Sequence, residues 1–113
     1  MKVAWSYVAL GNLIETNKYI ASENPETARK VINDIFDAGN KIKAFPEKGR
    51  IVPELRRKNV REVFCCEYRI IYRIESKRIF VLTVSSSSKE VQLLALRDRF
   101  PILTPAEFAR RLK

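Results

Sequence analysis

Between Val60 and Ile74 the chain reads VREVFCCEYRIIYRI, with β-branched and aromatic residues at every second position, the period of two strands in a β-hairpin. In the second half, Tyr68, Ile70, Tyr72 and Ile74 fall on one side and Arg69, Ile71, Arg73 and Glu75 on the other, because successive strand side chains point to opposite faces. The apolar side is expected to be core and the arginine side a basic surface. The chain carries 22 Lys and Arg against 13 Asp and Glu, a net charge of +9. That makes the arginine side the first candidate for contact with an acidic partner. A solvated outer sheet face is the other reading of the same pattern.

The length of 113 residues suits one domain, 1–113, with a single core. Hydrophobic residues at 46% and charged residues at 31% are ordinary globular proportions, which excludes disorder of the whole chain. No apolar run reaches the ~18 residues of a membrane span, and Met1-Lys2 leads directly into an amphipathic pattern without a signal-peptide core. The expectation is a cytoplasmic protein with no membrane partner. Cys65 and Cys66 are adjacent, so a disulfide between them would be strained, and the absence of histidine removes any zinc-ligand spacing. They read as reduced strand-end or turn residues, and no cofactor or metal is expected.

Taken in order, Lys2–Trp5 is a short apolar strand and Ser6 can cap the helix after it. From Tyr7 to Ser22, Leu10, Leu13, Ile14 and Ile20 form one helical stripe. Asn24-Pro25 reads as an N-cap with proline at the first helical position, where its missing N–H costs nothing. The second helix carries Ala28, Val31, Ile32, Ile35, Gly39 and Ile42 as its stripe and ends at Phe45-Pro46. Two such helices form an antiparallel hairpin whose apolar stripe needs the Tyr68/Ile70/Tyr72 side of the sheet as cover. Arg50–Leu55 is a connecting segment broken by Pro53, and Arg56-Arg57-Lys58 adds three adjacent cations. Arg78–Val84 continues the sheet as an antiparallel meander, and Ser85–Ser88 ends it. A nucleophilic serine needs a base and the chain has no histidine, so the serines are assigned no chemistry. Glu90–Leu96 has no decisive period. Thr104-Pro105-Ala106-Glu107 has the capping-box form, predicting a terminal helix over Pro105–Leu112. The expected fold class is therefore α+β: an N-terminal strand, a two-helix hairpin on one face of an antiparallel sheet, and a short C-terminal helix.

The segments VAWSYVALGNLIETNKYIA, NPETA, FPEKGRIVPEL and NVREVF, then YRIIYRI followed by IFVLTV, occur in an order and spacing that resembles the ParE/RelE superfamily of toxins from bacterial toxin–antitoxin pairs. The resemblance covers about residues 2–85, leaving 86–113 as a variable C-terminal segment. It implies a cognate acidic antitoxin as partner. One branch, similar to RelE, cleaves mRNA in the ribosomal A site; the other, similar to ParE, poisons DNA gyrase without being a nuclease. Cleavage without histidine is chemically feasible, since arginine or lysine can stabilise the phosphate transition state and a perturbed lysine or tyrosine can move protons.

The branches are told apart by single residues. The arginine that contacts the scissile phosphate in the RNA-cleaving branch would fall on Arg69, whereas the two strand lysines of that branch would fall on Val60 and Glu62. Neither is basic, and a carboxylate at 62 opposes an approaching phosphate. The basic residue after the last strand corresponds to Lys89, and the C-terminal tyrosine has no counterpart. The resemblance therefore implies gyrase inhibition with no catalytic residue, the alternatives being an mRNA endonuclease using Arg69, or a degenerate toxin that only binds its antitoxin. Arg61, Arg69, Arg73 and Lys89 are the candidate residues for binding target or antitoxin.

Overall fold

A computed structural model describes residues 1–86; the predicted helix over Pro105–Leu112, the Glu90–Leu96 segment and Lys89 lie outside them. Strand β1 (Lys2–Trp5) leads into helix α1 (Tyr7–Ala21) and helix α2 (Pro25–Lys41). Two 3₁₀ turns, Ile42–Ala44 and Pro46–Lys48, carry the chain to β2 (Arg50–Ile51), β3 (Val60–Cys65), β4 (Tyr68–Ile74) and β5 (Arg78–Ser86). The sheet order is β1-β5-β4-β3-β2.

Both expected caps form. Ser6 Oγ accepts from the Ala9 N–H at 2.9 Å and donates to the Leu82 carbonyl at 2.8 Å, so one buried hydroxyl starts α1 and fastens it to β5. Asn24 Oδ1 accepts from the Thr27 N–H at 3.1 Å, and Pro25 opens α2. Asn12 adds a second tie from α1 to β5, its Oδ1 accepting from the Val84 N–H at 3.0 Å.

The helical hairpin covers the expected side of the sheet. Ala9 and Leu13 of α1 and Ile35 of α2 join Ile70 and Tyr72 of β4 and Ile79, Val81 and Val84 of β5 in the main core. Gly39 lies against the Trp5 indole so closely that a Cβ there would enter the ring's van der Waals shell. Trp5 in turn meets Phe36 at 4.7 Å between ring centroids.

Three features depart from the reading of the sequence. The β3–β4–β5 meander is antiparallel, but β1 adds to β5 in parallel, pairing Lys2 with Arg78 through Trp5 with Val81, so the sheet is mixed. Within the segment read as a connection, Arg50 and Ile51 pair with Glu62 and Arg61 as a short edge strand, placed before Pro53 where proline's missing donor does no harm. The outer face is not simply a basic surface. It carries a second core cluster of Val52, Val60, Ile71, Phe80 and Leu82. Leu82 is accommodated by an irregularity in the ladder, where Ile71 pairs with Thr83 and Tyr72 with Val81.

Candidate functional site

The two-residue loop Cys66-Glu67 sets the register of the β3–β4 hairpin, placing Phe64 opposite Arg69 and Glu62 opposite Ile71. Glu62 is thereby the diagonal neighbour of Arg69 on the same face, within reach of a long side chain. Arg69 Nε donates to Glu62 Oε2, and Arg69 Nη2 reaches both carboxylate oxygens of Glu54 at 3.1 Å. From the edge strand, Arg50 donates to Glu62 Oε1 through Nε at 2.8 Å and Nη2 at 2.5 Å. Two arginines and two carboxylates thus form one ionic cluster of zero formal charge. The Glu62 side chain is 0% exposed and that of Arg69 11%.

The electrostatics follow from this geometry. Burial alone would lower the Arg69 pKa, but its bonds to Glu54 and Glu62 outweigh burial and hold it above the ordinary value. The same bond from Arg69 keeps the Glu54 carboxyl below the usual range. An approaching phosphate would have to displace both carboxylates from a guanidinium already satisfied by them.

The other candidates among the described residues, Arg73 and Arg61, are also engaged. Arg73 shares the outer face with Arg69, but its Nε donates to Glu75 Oε2 at 2.8 Å and its guanidinium lies 5.5 Å from the Phe80 ring centroid. Arg78 closes the same carboxylate from the other side, Nε to Glu75 Oε1 at 2.5 Å. Arg61 lies on the helix side of the sheet. Its Nε donates to the Lys58 carbonyl at 3.1 Å and its Nη1 to the carbonyls of Glu47 and Gly49 at 2.9 and 3.0 Å, joining the loops before β2 and β3. The structure therefore brings Arg69 and Arg73 onto one face, as the alternation predicts, and separates Arg61 from them.

Neither tyrosine of β4 reaches this face. Tyr72 is fully buried under the helices and donates to the Pro46 carbonyl at 2.6 Å. Burial pushes both Tyr72 and Tyr68 above the ordinary phenol range, opposite to what a proton-abstracting tyrosine requires.

A second surface lies between the helices. A groove of about 720 Å³ runs between α1 and α2, floored by Leu10, Leu13, Ile32 and Phe36 and flanked by Lys18 and Arg29. Ile14 is exposed along it. The stripe read for α1 is thus split: Leu13 is buried in the core, while Ile14 remains open to the groove.

Residues 3–91 match the sequence pattern of the family described as the ParE toxin of type II toxin-antitoxin system, parDE. The chain belongs to the ParE toxin family. Membership in this family of type II toxin–antitoxin toxins implies an antitoxin as partner. The fold is similar to a solved chain of the chromosomal ParDE toxin–antitoxin system from P. aeruginosa, with a TM-score of 0.65 and 21% sequence identity. That similarity covers 76% of this chain and 95% of the other. No curated protein matches the chain by sequence. Glu62 and Arg69, at the centre of the ionic cluster, are the buried charged side chains among the described residues. Arg50 and Glu54, which complete it, were not among the residues the sequence reading proposed. Glu62 could have been paired with Arg69 from the hairpin register alone, but Glu54 reaches it only through the irregular segment before β3.

Proposed function

We propose that this ParE-family toxin inhibits DNA gyrase and does not cleave ribosome-bound mRNA. The observation that carries this reading is the buried Glu62 carboxylate held against Arg69. Phosphoryl chemistry needs positive groups aimed at the developing charge; here the corresponding arginine is neutralised by Glu62 and Glu54. A cognate acidic antitoxin would neutralise the toxin. The interhelical groove suits an amphipathic segment of it, since the floor is apolar and Lys18 and Arg29 flank it. Such a segment would order on binding, gaining area at the cost of its chain entropy.

Two in-vitro assays and one cellular readout test this reading. Purified toxin is expected to inhibit gyrase supercoiling, leave ribosome-bound mRNA intact and provoke a DNA-damage response in cells. Codon-phased cuts in A-site mRNA, abolished by Arg69→Ala, would overturn it. Inactivity in both assays with antitoxin binding retained would identify a degenerate toxin. For the partner, calorimetry with the neighbouring gene product should show binding that salt weakens only in part, because apolar anchors are unscreened.

A further inference from the structure

Cys65 ends β3 and Cys66 is the first residue of the two-residue loop to β4. Cys66 has φ 59°, the left-handed region that glycine or asparagine ordinarily fills in such hairpin loops. Cys65 is half-buried on the helix side and Cys66 is exposed. The two sulfurs nevertheless face each other at 3.7 Å. They are the chain's two cysteines.

The spacing separates two kinds of chemistry. A trans peptide fixes adjacent Cα atoms about 3.8 Å apart, whereas unstrained disulfides hold theirs at roughly 4.4–6.8 Å. Direct closure is therefore disfavoured. A bridging atom is a different matter. A tetrahedral thiolate centre with metal–sulfur bonds of about 2.3 Å sets its sulfurs roughly 3.8 Å apart, close to the separation seen. Zinc would need two further ligands, and the described residues hold no cluster of three or more potential ligands. A trivalent arsenic already carrying one carbon substituent needs only two sulfurs, and its pyramidal geometry, with a narrower S–As–S angle than a tetrahedral centre, draws them a little closer than the separation seen.

We propose that Cys65 and Cys66 form a vicinal dithiol site that captures one monosubstituted trivalent arsenical per chain. With an arsenoso compound, R–As=O, two As–S bonds form and the As=O bond is lost. The oxygen leaves as one water carrying both thiol protons. Arsenic stays trivalent and nothing is oxidised or reduced. Cys66, being exposed, takes the first bond, and Cys65 closes the ring. Burial, the Cys66 thiol and the nearby Asp34 and Asp37 push the Cys65 thiol up to about 11. It is thus protonated at neutral pH, and the overall condensation consumes the S–H form.

The full-length protein treated with one equivalent of phenylarsine oxide tests the site. Intact mass should show a single adduct, minus one water, that survives excess glutathione and is removed by 2,3-dimercaptopropanol. Cys65→Ser and Cys66→Ser should each yield an adduct that glutathione strips. Cys66→Gly suits the left-handed backbone and keeps the hairpin folded, and it too must lose the glutathione-resistant adduct. Wild-type protein stripped by glutathione as fast as the single variants would overturn the proposal. So would two arsenicals per chain, or a resistant adduct in Cys66→Gly.

Discussion

Replacing Glu62 by glutamine keeps the shape of the side chain and removes its charge, isolating what the carboxylate does for the outer face. In the wild type it is wholly buried between Arg50 and Arg69, whose side chains are 63% and 11% exposed. Breaking a buried pair by removing one partner costs about 3–5 kcal/mol, because the remaining charge is left uncompensated. Two features place this case at the lower end. Arg69 retains Glu54, and the mostly exposed Arg50 contributes no more than about 1 kcal/mol to its pair with Glu62. The expected loss for Glu62→Gln is therefore roughly 3 kcal/mol, a large part of the ~5–15 kcal/mol that holds a domain together. At about 4 °C per kcal/mol for a chain of this size, the melting temperature should fall by roughly 12 °C.

Chemical denaturation of wild type, Glu62→Gln and the double variant Glu62→Leu/Arg69→Met measures it. Apolar replacement of both partners removes the desolvation penalty together with the attraction, so the double variant should lie within about 1 kcal/mol of wild type. A loss below about 1 kcal/mol for Glu62→Gln would show that the carboxylate is not buried against Arg69. A double variant as unstable as the single one would refute the claim that the uncompensated guanidinium is the source of the cost.

Ser6→Ala should cost about 1–2 kcal/mol by denaturant titration, since it removes the α1 cap and leaves the Leu82 carbonyl without its donor. Gly39→Ala gains about 1 kcal/mol of helix propensity but drives a methyl into the Trp5 ring, an overpacking term of about 1–3 kcal/mol. The net effect should be destabilising, with a blue or red shift of the single tryptophan's emission as the local readout. Acid should unfold the protein through Glu54 and Glu75. The Arg69 hydrogen bond holds Glu54 below the ordinary 4.5; burial pushes Glu75 up, but its bonds to Arg78 and Arg73 prevail and it too lies below 4.5. Because these folded-state values lie below the unfolded one, their stabilisation is complete above the unfolded value and lost as pH falls through the folded values. Melting curves should thus be level near pH 6 and decline below about pH 4.5, where carboxylates titrate.

Much of the fold was legible because local signals agreed with one another. Alternation in YRIIYRI separated the two faces of β4, and the structure puts Ile70 and Tyr72 under the helices and Arg69 and Arg73 opposite. Ser6 and Asn24-Pro25 marked the starts of both helices. The parallel partnership of β1 was not legible, since it joins residues more than seventy positions apart and no local pattern specifies which sheet edge a first strand takes. The character of the outer face was missed for a related reason. Counting charges along the sequence makes Arg69 and Arg73 look like a basic patch, whereas their electrostatics depend on carboxylates from β3, the preceding loop and the residue after β4.

That dependence separates the charge of the chain from the charge of the site. Arg69 and Arg73, the two arginines that alternate along β4, are paired with Glu62, Glu54 and Glu75, so among the described residues the middle of the outer face offers no free guanidinium to a phosphate. By contrast, Arg56 and Lys58 stand exposed in the loop that follows the edge strand. The excess charge is thus available for attraction over distance, while Arg69, to which the resemblance would give the cleavage role, is held in an internal ion cluster. In the proposed reading, the same scaffold attracts an acidic antitoxin and inhibits its target by binding. Glu62 is the residue on which that reading turns, because it satisfies Arg69 within the fold.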